Sequence, residues 1–220
     1  MSNESQQSST LRLEARDLAC RRGGRRIFAG VSFAVDGGEM LALRGPNGVG
    51  KTTLLRLVAG FLRPEAGELR LHGADDDLPL AQHCHYVAHQ NAIKPQLTVE
   101  ENLLFWCDFL NGDRKRLEHA LRALNLEPLR HLPGAVLSAG QKRRLSLARL
   151  LLAERPLWLL DEPTVGLDVD SVAALSAIMN AHLSAGGIII ASTHIDLGLA
   201  ATRTLHMRPA DAGADEEEAA

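Results

Sequence analysis

Eight consecutive residues, Gly45-Pro46-Asn47-Gly48-Val49-Gly50-Lys51-Thr52, carry two glycines, a lysine and a hydroxyl at the offsets of a phosphate-cradling loop. Glycine suits such a loop because successive backbone N–H groups must turn inward around phosphate oxygens with no side chain in the way. Lys51 is positioned to reach the β- and γ-phosphates, and the Thr52 hydroxyl to ligate the Mg²⁺ that bridges them, with Thr53 completing the candidate contacts. A plain glycine-rich turn is the competing explanation. A second candidate centre follows the apolar run Leu157-Trp158-Leu159-Leu160, which leads directly into Asp161-Glu162-Pro163. Asp161 suits Mg²⁺ through its water shell, since this ion takes few carboxylates and keeps several waters. Glu162 could orient and deprotonate an attacking water as a general base. Alternatively, the two acids cap a following helix.

These residues need rigid supports, and the flanking pattern supplies them. Met40-Leu41-Ala42-Leu43 reads as a buried strand entering the loop, and Thr52 to Val58 as a helix leaving it, stopped by Gly60. From Leu11 to His72 the pattern is β-rich: Leu11 and Leu13, then Val31, Phe33 and Val35, then Leu69 and Leu71 alternate with more polar neighbours. Between Thr98 and Glu154 the period shifts towards 3.6, most clearly at Leu117, Ala120, Leu121 and Leu124. Short apolar runs return at Leu157 to Leu160 and Ile188 to Ala191, as in a parallel sheet buried on both faces. The expectation is an α/β fold with an N-terminal β-rich subdomain and a helical subdomain inserted at about 98–155. One domain would span 11–208, between a polar disordered tail at 1–10 and an acidic one at 209–220.

The chain has 220 residues, 45% of them hydrophobic, enough to bury a substantial core. A net charge of −3 lacks the basic balance of a dedicated nucleic-acid binder, so no RNA or DNA partner is expected. Cys20, Cys84 and Cys107 are far apart and outside any Cys-x-x-Cys spacing, which reads as reduced cytosolic thiols. Met1 to Thr10 has no signal-like apolar stretch, and no run approaches the roughly 18 to 20 apolar residues that span a bilayer. A cytoplasmic protein that meets membranes through partners is expected.

Leu137-Ser138-Ala139-Gly140-Gln141 ends 20 residues before Asp161 and is followed by Lys142-Arg143-Arg144. With the loop and the two acids, this segment resembles the signature of ATP-binding-cassette (ABC) ATPases, Ala139 standing where the first glycine is usual. Gln90 resembles that family's Q-loop glutamine, Gly166-Leu167-Asp168 its D-loop, and His194 after Ser192-Thr193 its switch histidine. The resemblance implies a P-loop ABC-type ATPase core using ATP and Mg²⁺. Catalysis would fall to Glu162, His194 and Lys51; Thr52, Gln90 and Asp161 would serve the metal; Ser138, Gly140, Gln141 and Asp168 would join the nucleotide site. It further implies a head-to-tail homodimer, in which Ser138 and Gly140 reach the γ-phosphate held by the opposite copy. Where the family stacks an aromatic on adenine, this chain has Arg21-Arg22, which implies weak discrimination between ATP and GTP.

Leu11 to Leu18 with Cys20, Ala88 to Lys94, and Leu97 to Leu103 are similar in texture to one subgroup, the ATPases of cytochrome c biogenesis haem exporters. That likeness implies a membrane subunit of the CcmB kind, with CcmC and CcmD, and an indirect link to the haem chaperone CcmE. The chain would lie peripherally on the cytoplasmic face of the bacterial inner membrane. An ABC exporter ATPase for another substrate, or a soluble non-transport ABC ATPase, remain alternatives. His83, His85 and His89 share a period-two face that reads as ordinary strand-edge histidines, with a metal or haem ligand set as the alternative. Phe105, Trp106 and Phe109 read as helix core, with a partner-facing surface as the alternative.

Overall fold

The computed structural model describes residues 10–193, 199 and 202–208, without the side chain of Thr202. His194 and, apart from Thr10, the two terminal segments lie outside the described residues. The chain opens with two long strands, β1 (Arg12–Arg22) and β2 (Arg25–Asp36), then β3 (Met40–Arg44), α1 (Lys51–Val58) and β4 (Ala66–His72). After β5 (Cys84–Val87) come α2 (Val99–Phe109), α3 (Leu117–Ala123) and α4 (Ala139–Ala148). The last elements are β6 (Leu157–Asp161), α5 (Val169–Ser184), β7 (Ile188–Ser192) and β8 (Thr202–His206).

Two sheets result. An antiparallel sheet has the order β2-β1-β4, and a sheet whose pairings are all parallel has the order β5-β6-β7-β3-β8. Both faces of the parallel sheet are covered, which explains why β3, β6 and β7 are nearly continuous apolar runs rather than alternating ones. Met40, Ala42, Trp158, Leu160, Ile189 and Ala191 join the core that contains α2, α3, α4 and α5. Their neighbours Leu41, Leu43, Leu157, Leu159, Ile188 and Ile190 face the other core, made with α1 and the antiparallel sheet. The phosphate loop and its helix are therefore clamped between two sheets. All four residues of the helical stripe, Leu117, Ala120, Leu121 and Leu124, are buried.

Local chemistry sets the helix starts. Thr98 opens α2 with a reciprocal cap: its hydroxyl accepts from the Glu101 amide at 3.2 Å, and Glu101 Oε2 accepts from the Thr98 amide at 2.8 Å. One turn in, Asn102 is 1% exposed and ties down the preceding loop. It accepts from the Lys94 amide at 2.8 Å and donates to the carbonyls of Lys94, Leu97 and Thr98 at 2.9–3.1 Å.

Two expectations change. Phe105 and Phe109 are 38% and 68% exposed and Trp106 is half-buried, so the aromatic stripe is mostly surface rather than helix core. Trp106 lies under the Arg149 guanidinium and donates to the Ala92 carbonyl at 3.3 Å, while Phe105 and Phe109 face outward. The three histidines do not share a strand face, because β5 is only four residues long. His83 precedes β5 in a single turn of 3₁₀ helix and bonds the Asp75 carbonyl at 2.9 Å, while His89 is exposed beyond the strand. His85 is buried, bonds the Ala153 carbonyl at 2.9 Å and meets Trp158 edge-on. Among the described residues no group of three or more His, Cys, Asp or Glu side chains could hold a metal.

Burial pushes the His85 pKa down to about 4, and His182, stacked on Trp158 at 3.9 Å, is lowered to about 4 for the same reason. A depressed folded-state pKa means that the unfolded chain takes up protons first, so stability is lost as pH falls from about 6.5 towards 4. From pH 7 to pH 5, His85 alone should cost about 2 kcal/mol. Thermal unfolding at both pH values checks this: His85→Gln, which keeps a donor but does not titrate, should show a smaller pH dependence than the parent.

Candidate functional site

Register across the parallel sheet assembles the site. Ser192 in β7 is paired both with Leu43, just before the phosphate loop, and with Asp161 at the end of β6. The loop and the carboxylate thus emerge at one level at the C-terminal ends of the strands, where ligand sites of α/β sheets lie. The contacts close the arrangement. Asp161, 3% exposed, accepts from the Ser192 hydroxyl through Oδ1 at 2.7 Å and from the Thr52 hydroxyl through Oδ2 at 2.9 Å. Two hydroxyls so hold a buried carboxylate that would otherwise be costly.

The loop itself needs its glycines. Gly50 precedes α1 with φ 108°, and no side chain caps the helix, which leaves its first amides for an anion. Gly45 has φ 140°, and a Cβ there would lie 2.6 Å from the Met207 carbonyl oxygen. Lys51 is 8% exposed and folds back over the loop, donating to the carbonyls of Gly45 at 2.7 Å and Pro46 at 3.0 Å. Pro46, Asn47 and Gly48 are exposed, while Val49 and Thr53 are buried. The Thr52 hydroxyl and the Asp161 carboxylate lie together at the mouth of the loop, and oxygen donors of this kind, one direct and one through water, suit a small hard cation.

Glu162 follows Asp161 in an unusual backbone state. Its φ is 47°, a left-handed conformation that costs a non-glycine residue about 1–3 kcal/mol. Hydrogen bonds on both sides hold it there. Its amide donates to the Ser192 carbonyl at 3.0 Å and the Ser192 hydroxyl at 3.1 Å, and its carbonyl accepts from Arg143 at 2.8 Å.

The signature segment is organised separately. Ser138 begins α4 with a second reciprocal cap: its hydroxyl accepts from the Gln141 amide at 3.2 Å, and Gln141 Oε1 accepts from the Ser138 amide at 2.8 Å. Gln141 therefore uses its side-chain oxygen within its own helix. A Cβ on Gly140 would lie 2.7 Å from the Gly166 carbonyl oxygen, so the signature and the 166–168 turn touch. Asp168 caps α5 by accepting from the Ser171 amide at 2.8 Å, and the hydrogen bond to Ser171 holds its carboxyl below the usual range. Gln90 is exposed beyond β5, along a groove of about 470 Å³ lined with Phe61, Tyr86, Trp106, Phe109 and Arg149. Of the two arginines in the base-stacking region, Arg21 is bound to Glu65 at 3.0 Å, while Arg22 is exposed.

Sequence reasoning did not find Ser192 or Arg143. The first sits on a strand whose neighbours only the fold reveals. The second had a visible signal: a charge at 143 lies on the helical stripe of Leu147 and Leu150, both buried.

A phosphate loop, a carboxylate and a hydroxyl aligned on a parallel sheet define a nucleoside-triphosphate-binding α/β domain. The ABC transporter family model matches residues 28–165, and the chain belongs to that family. It is 53% identical over 191 residues to the cytochrome c biogenesis ATP-binding export protein CcmA of Nitrobacter winogradskyi, covering 87% of this chain and 96% of that protein. It is 51% identical over 189 residues to the protein of the same name in Brucella abortus, covering 86% and 88%. A solved ATP-binding subunit of an ABC transporter is 29% identical with a TM-score of 0.78, covering 88% of this chain and 85% of that one.

Adding a methyl group at residue 45 tests the loop. Gly45→Ala should fold yet bind nucleotide at least about tenfold more weakly, read by titration with a fluorescent ATP analogue, because the new Cβ and the Met207 carbonyl cannot both stay in place.

Proposed function

We propose that this chain is the ATP-hydrolysing motor subunit of a cytochrome c biogenesis export complex, coupling ATP turnover to haem delivery or to release of a haem-loaded chaperone. The observation that carries the ATPase reading is the Ser192–Asp161–Thr52 hydrogen-bonded chain at the mouth of the phosphate loop. The relatives named CcmA, 51–53% identical over most of the chain, support the transport system.

In this reading Lys51 exchanges its two loop carbonyls for β- and γ-phosphate oxygens, and the uncapped amides at the start of α1 receive the rest of the phosphate charge. Thr52, Asp161 through water and Gln90 would hold Mg²⁺, which would supply positive charge beside the γ-phosphate. Glu162 accepts a proton as water oxygen bonds to the γ-phosphorus and the bond to the bridging oxygen breaks, releasing ADP and phosphate. His194 is assigned, by resemblance, to the γ-phosphate and the water. Ser138, Gly140 and Gln141 serve the nucleotide of a second copy, with Asp168 at the same interface, so two chains complete each site. That role requires the Ser138–Gln141 cap to share its groups with the phosphate.

The groove beside Gln90 is assigned to the membrane subunit, CcmB-like, in a complex with CcmC- and CcmD-like proteins and an indirect link to CcmE. Phe61 and Phe109, 64% and 68% exposed, flank it, and exposed aromatics around a concave apolar site suit a partner helix. Among the described residues no helix is long and apolar enough to cross a membrane. In this reading the chain sits peripherally on the cytoplasmic face of the inner membrane, attached through the groove.

Two measurements test these assignments. Glu162→Gln should bind ATP with parental affinity, lose hydrolysis by about 10²-fold or more, and accumulate as an ATP-dependent dimer by size-exclusion chromatography with light scattering. Normal turnover would remove Glu162 from the base role. Phe109→Asp should leave ATP binding intact but abolish co-purification of the membrane subunit; undiminished recovery of that subunit would reject the groove.

A further inference from the structure

Arg143 lies in the second turn of α4 and is 3% exposed, yet among the described residues no carboxylate side chain receives its guanidinium. Instead Nε donates to the Pro163 carbonyl at 3.1 Å, and Nη2 to the carbonyls of Asp161 and Glu162, both at 2.8 Å. Nη1 donates to the Ala88 carbonyl at 2.7 Å and to Asn91 Oδ1 at 3.3 Å. The five N–H donors of the fork thus meet five acceptors. These acceptors lie on two loops. One, 161–163, carries the carboxylates; the other, 88–91, brackets Gln90. The arginine itself stands one turn after the signature residues Ser138 and Gly140.

Burial lowers the Arg143 pKa, an effect opposed by the nearby charges of Asp161 and Glu162. A charged group is retained here at a desolvation cost, with backbone oxygens as its main partners. Apolar packing could fill this space, but it could not grip three consecutive carbonyls, 161 to 163. The middle one belongs to the residue at φ 47°. A left-handed glutamate aims its side chain differently from one in the strand conformation, so whatever stabilises that backbone also sets the carboxylate.

We propose that Arg143 is a positioning residue for hydrolysis: it fixes the backbone of Glu162 and couples it to the start of the signature helix and to the Gln90 loop. The inference rests on Glu162 being the general base. Arg143 touches no reacting atom in this scheme. It acts by holding the base within the narrow tolerance that proton abstraction demands, where a displacement of about 1 Å can cost roughly 10²-fold in rate. Lysine cannot replace it, because a single ammonium has three donors and no fork.

The test uses the full chain in the complex with which it co-purifies, and compares Arg143→Lys, Arg143→Gln, Glu162→Gln and the double variant Arg143→Lys with Glu162→Gln. Arg143→Lys should lower kcat about 30- to 100-fold while KM and the affinity for a fluorescent ATP analogue stay within about threefold of the parent. Arg143→Gln, smaller and uncharged, guards against a lysine that fails to fold and should show the same split. In the double variant the residual rate should equal that of Glu162→Gln, since both changes act through one carboxylate. Parental kcat in either Arg143 variant overturns the proposal. So does a parallel fall in kcat, nucleotide affinity and thermal midpoint, which marks a structural role, or a double variant slowed by the product of the two single effects. Full turnover by Glu162→Gln alone would instead reject the base assignment itself, and with it the route through which Arg143 acts.

Discussion

A buried carboxylate held between two hydroxyls is the constraint on which the rest of this structure depends. Asp161 is taken almost wholly out of water, and the hydroxyls of Ser192 and Thr52 supply partners that the solvent no longer can. The cost of failing to do so would be large, so the strands that deliver these groups must be in register. That requirement runs through the parallel sheet: β7 has to lie between β3 and β6, and Ser192 has to face both Leu43 and Asp161. Covering both sides of the sheet then follows, because a parallel sheet of such apolar strands cannot expose either face.

The parts of the site that are local in sequence could be read before the fold was known. Glycine, lysine and threonine at fixed offsets need only a strand before and a helix after them, and both appear at 40–44 and 51–58. Helical periodicity at Leu117 to Leu124 was equally legible, since four residues on one stripe are all that a short helix needs to bury. Strand order was not. Nothing in the composition of Ile188 to Ser192 says which strands it separates. The acceptors of Arg143 are backbone oxygens, which carry no residue-type signal, so only the anomaly of a charge on an apolar stripe pointed towards it.

The aromatic and histidine readings failed for a related reason. Phe105 and Phe109 are as apolar as any core residue, but periodicity finds the apolar face of a helix without saying what covers it. The three histidines at 83, 85 and 89 obeyed a strand period, yet the strand stops at Val87, and a short 3₁₀ turn rotates His83 out of line. In each case the local pattern was sound, and what it missed was the covering of the helix face in one and the length of the strand in the other. Charge rather than shape marks the coupling residues: Arg149, its pKa lowered to about 10 by burial, bonds the Tyr86 carbonyl and lies over Trp106, tying the groove to the sheet as Arg143 ties the catalytic loop.

The two hydrophobic cores on opposite faces of the parallel sheet have an evolutionary consequence. The layer that grips phosphate, with α1 and the antiparallel sheet, and the layer of α2 to α5 bury their apolar side chains in separate clusters. Replacements on α2 and α3, away from the signature helix and Arg143, should therefore combine almost independently with replacements beneath the loop, because epistasis fades between residues with no common neighbours. A lineage could retune the surface that α2 offers to a new companion while leaving the triphosphate pocket thermodynamically untouched.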